Sequence, residues 1–153
     1  MATDVLKAPR SIGRDLTFAA SAASSVANRM LEPHGLSLAQ WAVLQCLWHN
    51  GDLSVKDIAK LTGNAPPAAS RIVDRMVASG ILTRQTDAKD RRAVLVRTTD
   101  RGEGLRHLQK VYEDVNAVVL SDLSEMEAET LFSLLSKVRS AGQEWLERGV
   151  NKR

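Results

Sequence analysis

The chain has 153 residues with one cysteine, and 21 Lys and Arg against 18 Asp and Glu leave a net charge of +3. That length allows one domain with a substantial core. The lone cysteine excludes an internal disulfide and fits a reducing cytoplasm, and the lack of a basic-then-apolar leader or a long apolar run argues against a secretory signal and a membrane span.

In chain order, the start as far as Pro9 reads as loose. Apolar residues then recur at helical spacing through residues 11–31, on a small-sided face, "AASAASSVA", that another helix can approach closely. "EPHG" breaks this helix. Ser37 and Gln40 form a capping box for the next, which carries Trp41, Val43, Leu44, Leu47 and Trp48 and ends at "HNGD". Ser54 opens a short helix with Ile58, Ala59 and Leu61 inward. "TGN" turns the chain, and a further helix follows "PP", with Pro66 expected at the cap and Pro67 as the first helical residue. The period then changes: "ILTRQ" and "AVLVRT" read as two strands joined by an unusually long, charged loop, "TDAKDRR". Thr99 is expected to cap one long helix through Leu120, and Ser124 with Glu127 forms a capping box for a last long helix ending near Trp145.

The charge follows this layout. Residues 71–101 hold eight bases against four acids, and residues 121–148 hold six acids against three bases. A basic middle suits a polyanion, although scattered solvated charge would read the same way. Helix, glycine turn, helix is the helix-turn-helix order, with Gly63 in the turn. On its second helix Ala69, Ile72, Val73, Met76 and Val77 make the inward stripe, which leaves Ser70, Arg71, Asp74 and Arg75 outward or on the flanks. Arg71 and Arg75 are one turn apart, placed to bond guanine edges in a major groove, while alanine can pack on thymine methyls. The competing reading is a solvated face on which Asp74 pairs with its arginine neighbours. Two prolines remove donors that could otherwise hold a phosphate at this helix start. The ribbon loop can supply backbone contacts instead, with an arginine in the minor groove held by Asp87 or Asp90. Its alternative is a salt-bridged exposed turn.

These segments together resemble the multiple-antibiotic-resistance regulator (MarR) family: "LSLAQWAVLQCL", "LSVKDIAKLTGNAPPAASRIVDRMVASGIL", "DAKDRRAVLVRTTDRG" and "LSEMEAETLFSLLSKV" carry the likeness from about residue 10 onward. The resemblance implies a mainly α fold with a small two- to three-stranded antiparallel sheet. It implies one domain over residues 1–153, with a winged-helix DNA-binding region at 36–100 flanked by dimerisation helices at 10–34 and 101–150. It implies a homodimer that binds double-stranded DNA, usually as a repressor, under control of a small aromatic or phenolic effector. Carried over, Arg92 matches the wing arginine of the minor groove, Asp90 the acid that braces it, and Ser70 and Arg71 the recognition-helix positions near bases. Pro67, Ala68 and Arg75 share that helix face, and Lys89 and Arg91 are the expected phosphate contacts. Two departures stand out: Ala88 replaces a common wing proline, and "APPA" replaces a hydroxyl-rich helix start.

Cys46 reads as an inert core thiol with no cationic neighbour. His34, His49 and His107 lack metal-ligand spacing. Trp41 and Trp48, seven apart on one helix, read as core, with a wall of an effector crevice as the alternative. Phosphate loop, nucleophile elbow and metal motifs are all missing, so neither an enzyme nor a cofactor is expected. The rival to a DNA-binding regulator is a winged-helix module that binds protein instead.

Overall fold

A computed structural model describes residues 10–90 and 92–150; the expectation of a loose chain start falls outside them. Helix α1 spans Ile12–Leu31, with the Ser11 side chain accepting from the Arg14 N–H. A 3-10 turn at Glu32–His34 leads to α2, Leu38–Asn50. The capping box is formed as expected: the Gln40 N–H donates to Ser37 Oγ at 3.3 Å, and the Ser37 N–H donates to Gln40 Oε1 at 2.9 Å. Helix α3, Val55–Thr62, is capped by Ser54 and ends at Gly63, whose φ of +69° is left-handed and costs a glycine little. Helix α4 is Pro66–Ala78.

Strands β1, Leu82–Thr86, and β2, Val94–Thr98, pair antiparallel, with Leu82 opposite Thr98 and Thr86 opposite Val94. Leu53 adds a single-residue bridge to Val96 through bonds of 2.7 and 3.2 Å, a minimal third strand. The core lies among α2, α3, α4 and this ribbon. Leu44, Ile58, Val73, Met76, Leu82 and Val96 are fully buried there, the inward stripes that helical and strand periods place on one side.

The single long helix expected from Thr99 to Leu120 is instead three pieces: α5, Asp100–Gly104; a 3-10 helix, Arg106–Lys110; and α6, Val111–Val119. Side chains of α2 account for the break. Trp41 Nε1 donates to the Leu108 carbonyl at 2.8 Å and Gln45 Nε2 to the Gln109 carbonyl at 2.6 Å. Carbonyls turned toward these donors favour the tighter 3-10 form, and Gly102 and Gly104 weaken the helix before it.

The contacts divide the chain into two units, the first ending at Val115 and the second beginning at Asn116. The second holds α7, Glu125–Val150, started by the expected capping box at Ser124 and Glu127. No residue from 125 to 149 is buried, and Met126 and Trp145 are 79 % and 74 % exposed.

Gly102 has no room for a side chain: a Cβ there would lie 2.4 Å from the Ile81 carbonyl oxygen, whereas one at Gly104 would meet nothing within 4 Å. Gly102→Ala should therefore destabilise the fold by about 1–3 kcal/mol. Gly104→Ala should be neutral or stabilising by up to about 1 kcal/mol. Urea denaturation of the two variants checks this, and equal midpoints would contradict it.

Candidate nucleic-acid interface

Ala65, not Pro66, caps α4, and Pro66 is its first helical residue. The residue before a proline is driven to extended backbone, and Ala65 obeys at φ −63°, ψ 142°. Its carbonyl then accepts both the Ala68 N–H at 2.9 Å and the Ala69 N–H at 3.1 Å. These two bonds favour the earlier register over the one that would spare Pro66 a helical conformation. Both prolines fall where an N–H would lack a partner anyway. The first turn therefore has no spare backbone donor: Pro66 and Pro67 have none, and Ala68 and Ala69 spend theirs on Ala65. The anion-binding capacity usual at a helix start is missing here.

Ala69, Ile72, Val73 and Met76 are buried, so the opposite face of α4 is set by period alone. Pro67, Ala68, Arg71 and Arg75 are exposed on it and Ser70 is half-buried. Arg75 Nε donates to the Arg71 carbonyl at 3.3 Å, which runs its side chain back along the helix. Asp74 does not pair with these neighbours. It pairs with Arg84 of β1, at 2.8 Å.

The loop between the strands, residues 87–93, is closed by the Asp87 N–H donating to the Ala93 carbonyl at 2.9 Å. Asp87 Oδ1 accepts the Lys89 N–H, and Asp90 Oδ1 accepts the Arg92 N–H, both at 2.9 Å. Among the described residues neither acid grips an arginine guanidinium, which corrects the expectation for Arg92: both carboxylates accept backbone N–H groups two residues on. Such Asx turns need only the short side chain to be ordered, whereas gripping a guanidinium would also freeze a long, rotamer-rich one. Asp90 thus braces the backbone that carries Arg92, and the Arg92 side chain is exposed. Lys89 and Ala88 are exposed as well, and Arg91 lies outside the described residues. Among the described residues no carboxylate forms an ion pair with Arg71, Arg75, Lys89 or Arg92.

At the ribbon's base, Arg97 Nε lies 2.9 Å from both carboxylate oxygens of Asp52, and its Nη2 adds a third contact, to Oδ2. The pair ties β2 to the turn before α3, beside the Leu53–Val96 bridge. Hydrogen bonding to Arg97 holds the Asp52 carboxyl below its ordinary range. Bonds from the Thr98 hydroxyl, then Arg106, do the same for Glu103. Sequence reading missed the roles of Arg84 and Arg97. Their partners stand 10 and 45 residues away in the chain, a separation beyond any periodic signal; only their placement on strands was visible.

Trp48 is buried in the core and Trp41 is half-buried against it. Cys46 is half-buried rather than fully so, and burial pushes its thiol upward, away from the reactive thiolate. His34 and His107 meet edge-on with ring centroids 5.5 Å apart. Among the described residues no group of three or more His, Cys, Asp or Glu is placed to hold a metal ion.

Residues 36–94 match the profile of the MarR family. The chain is 31 % identical over 114 residues to the HTH-type transcriptional regulator MhqR of Bacillus subtilis (strain 168), covering 72 % of this chain and 77 % of that protein. The fold is similar to a crystal structure of a cysteine-to-serine variant of MarR from E. coli complexed with operator DNA, at TM-score 0.78 and 26 % identity over 83 % of this chain and 92 % of that one. It is also similar to BpsR of Bordetella bronchiseptica, a protein whose DNA binding is regulated by 6-hydroxynicotinic acid, at TM-score 0.76 and 25 % identity over 85 % and 99 % of the two chains.

Because the folded chain lowers Asp52 below its ordinary 3.8, its contribution to stability is complete above that value and is lost as pH falls through the lowered one. Stability of the wild type should exceed that of Asp52→Asn near neutral pH, and the gap should close in acid. Urea titrations across that range test this; a gap independent of pH would assign it to another cause.

Proposed function

This chain belongs to the MarR family of winged-helix transcriptional regulators, and from that premise we propose that it is a homodimeric repressor that leaves its operator when a small aromatic or phenolic effector binds. One observation carries the DNA reading. The exposed arginines of α4 and of the wing tip have no acidic partner among the described residues, while the acids nearby are engaged elsewhere. Unpaired cations on a helix and an adjacent ribbon are what a duplex requires.

In this reading Arg71 and Arg75 face base edges in the major groove, with Pro67, Ala68 and Ser70 packed beside them. Arg92 enters the minor groove from a tip whose backbone Asp90 holds, and Lys89 and Arg91 meet phosphates. A second copy covers the apolar surfaces of the terminal helices, which include Ile12 and Phe18 on α1 and Phe132, Leu134 and Trp145 on α7, all exposed. Two-fold symmetry then calls for a pseudo-palindrome with half-sites about one helical turn apart. The effector weakens binding by favouring a pair of helices with another spacing, and a cytoplasmic location follows from the DNA partner. No described helix is long and apolar enough to cross a membrane.

The donor-free start of α4 favours a second reading, a winged-helix module that binds protein rather than DNA. A mobility shift on the chain's own upstream DNA separates the two: a regulator binds specifically and loses affinity steeply as salt rises. Arg92→Ala should weaken this binding by roughly tenfold or more while leaving oligomeric state and helicity intact. An unchanged affinity would sink the wing assignment, and no specific shift by the wild type would favour the module. Release of the same DNA by aromatic acids tests the effector.

A further inference from the structure

Asp74 is the only acid on α4, and it stands between Arg71 and Arg75 in the chain. At three residues from Arg71 it is within the reach of a helical ion pair. It is drawn off that helix by Arg84, whose Nη2 lies 2.8 Å from Asp74 Oδ1. Arg84 comes from β1, opposite Val96 in the ribbon register. The two side chains are 38 % and 55 % exposed, so the pair adds little to fold stability. Its effect on the surface charge is larger. With Arg84 in place, the helix presents two cations and a neutralised acid. Without it, the helix presents an anion toward a partner that is itself anionic, and that anion can claim Arg71.

We propose that Arg84 is a positioning residue for DNA binding, which neutralises Asp74 and so keeps Arg71 and Arg75 available to the duplex without touching DNA itself. This inference rests on the DNA-binding reading above and assigns a function to a strand residue outside the expected contact set. It also distinguishes neutralisation from a mechanical tether of the wing to α4. A tether needs both partners, whereas neutralisation needs Arg84 only while Asp74 is charged.

The test uses full-length protein and a duplex that the wild type enriches from a random pool. Affinities of the wild type, R84Q, D74N and the double variant are measured on that duplex at low and at raised salt, with thermal melts to verify folding. R84Q should bind about tenfold more weakly at low salt, and the deficit should shrink as the screening length shortens. D74N should bind at least as tightly as the wild type, and the double variant should recover to within about threefold of it. Weakening by D74N equal to that by R84Q would establish a tether and overturn the proposal. A double variant as weak as R84Q would place Arg84 directly on DNA and overturn it too, as would an R84Q that binds normally. If the wild type enriches no duplex, the DNA-binding reading itself falls, and this inference with it.

Discussion

Three groups converge on the carbonyl of Ile81. The Thr99 N–H reaches it at 3.1 Å, the Thr99 hydroxyl lies 3.0 Å away and is shared with the Gly80 carbonyl at 2.6 Å, and the bare Cα of Gly102 leaves no space for a Cβ. Ile81 follows the end of α4, and its own N–H returns to the Met76 carbonyl at 3.0 Å. Thr99 follows β2 and caps α5 by accepting the Gly102 N–H at 3.2 Å. Recognition helix, wing and the following helix are thus joined around one carbonyl. The "TTDRG" stretch that closes one of the segments carrying the family likeness has a physical explanation here. Its second threonine closes the ribbon and starts the helix, and its glycine allows the two to touch. A larger residue would push the base of the wing away from α4, and the geometry of the interface with it.

Given that junction, charge is sorted by position. Asp52 takes Arg97 at the ribbon base, Asp74 takes Arg84 along its side, and Asp87 and Asp90 turn inward to the loop backbone. These four acids are spent on holding shape, and among the described residues Arg71 and Arg75 on the outer face of α4 and Lys89 and Arg92 at the wing tip have no acidic partner. Pro66 and Pro67 leave the start of α4 without backbone donors for a phosphate, and in the proposed reading side chains of the wing make those contacts instead. The direction of the ribbon sets where those side chains stand, and the Asp52–Arg97 pair helps to fix its base.

Outside this region the chain obeys a different constraint. Helix α7 has its N-terminal cap and a run of apolar residues, yet none of its residues from 125 to 149 is buried. A helix of that kind owes little to propensity alone and needs packing to be stable. The break after α5 belongs to the first unit and has a local cause. Trp41 and Gln45 of α2 hold the carbonyls of a 3-10 segment where a straight helix would otherwise continue.

What local chemistry decides was legible in the sequence. The caps at Ser37, Ser54, Thr99 and Ser124, the glycine turn at Gly63, the buried stripe of α4 and the two strands all depend on residues within a few positions of one another. Period and capping report such interactions directly. The exposed face of α4 and the hairpin tip could be placed for the same reason, since both are local objects. Errors arose where the local rules left alternatives of similar energy: which proline begins α4, and whether a short acid bonds a guanidinium or the nearest N–H. The helix expected from Thr99 to Leu120 failed because donors from α2, more than sixty residues earlier, captured its carbonyls. Arg84 and Arg97 could be read only as basic strand residues until the fold set each beside its aspartate. Sequence alone determined the caps, the helix-turn-helix and ribbon order, and the family likeness. Tertiary structure decided which cations stay unpaired and where the helices break, because ion pairs and side-chain-to-carbonyl bonds form between groups whose proximity no local period encodes.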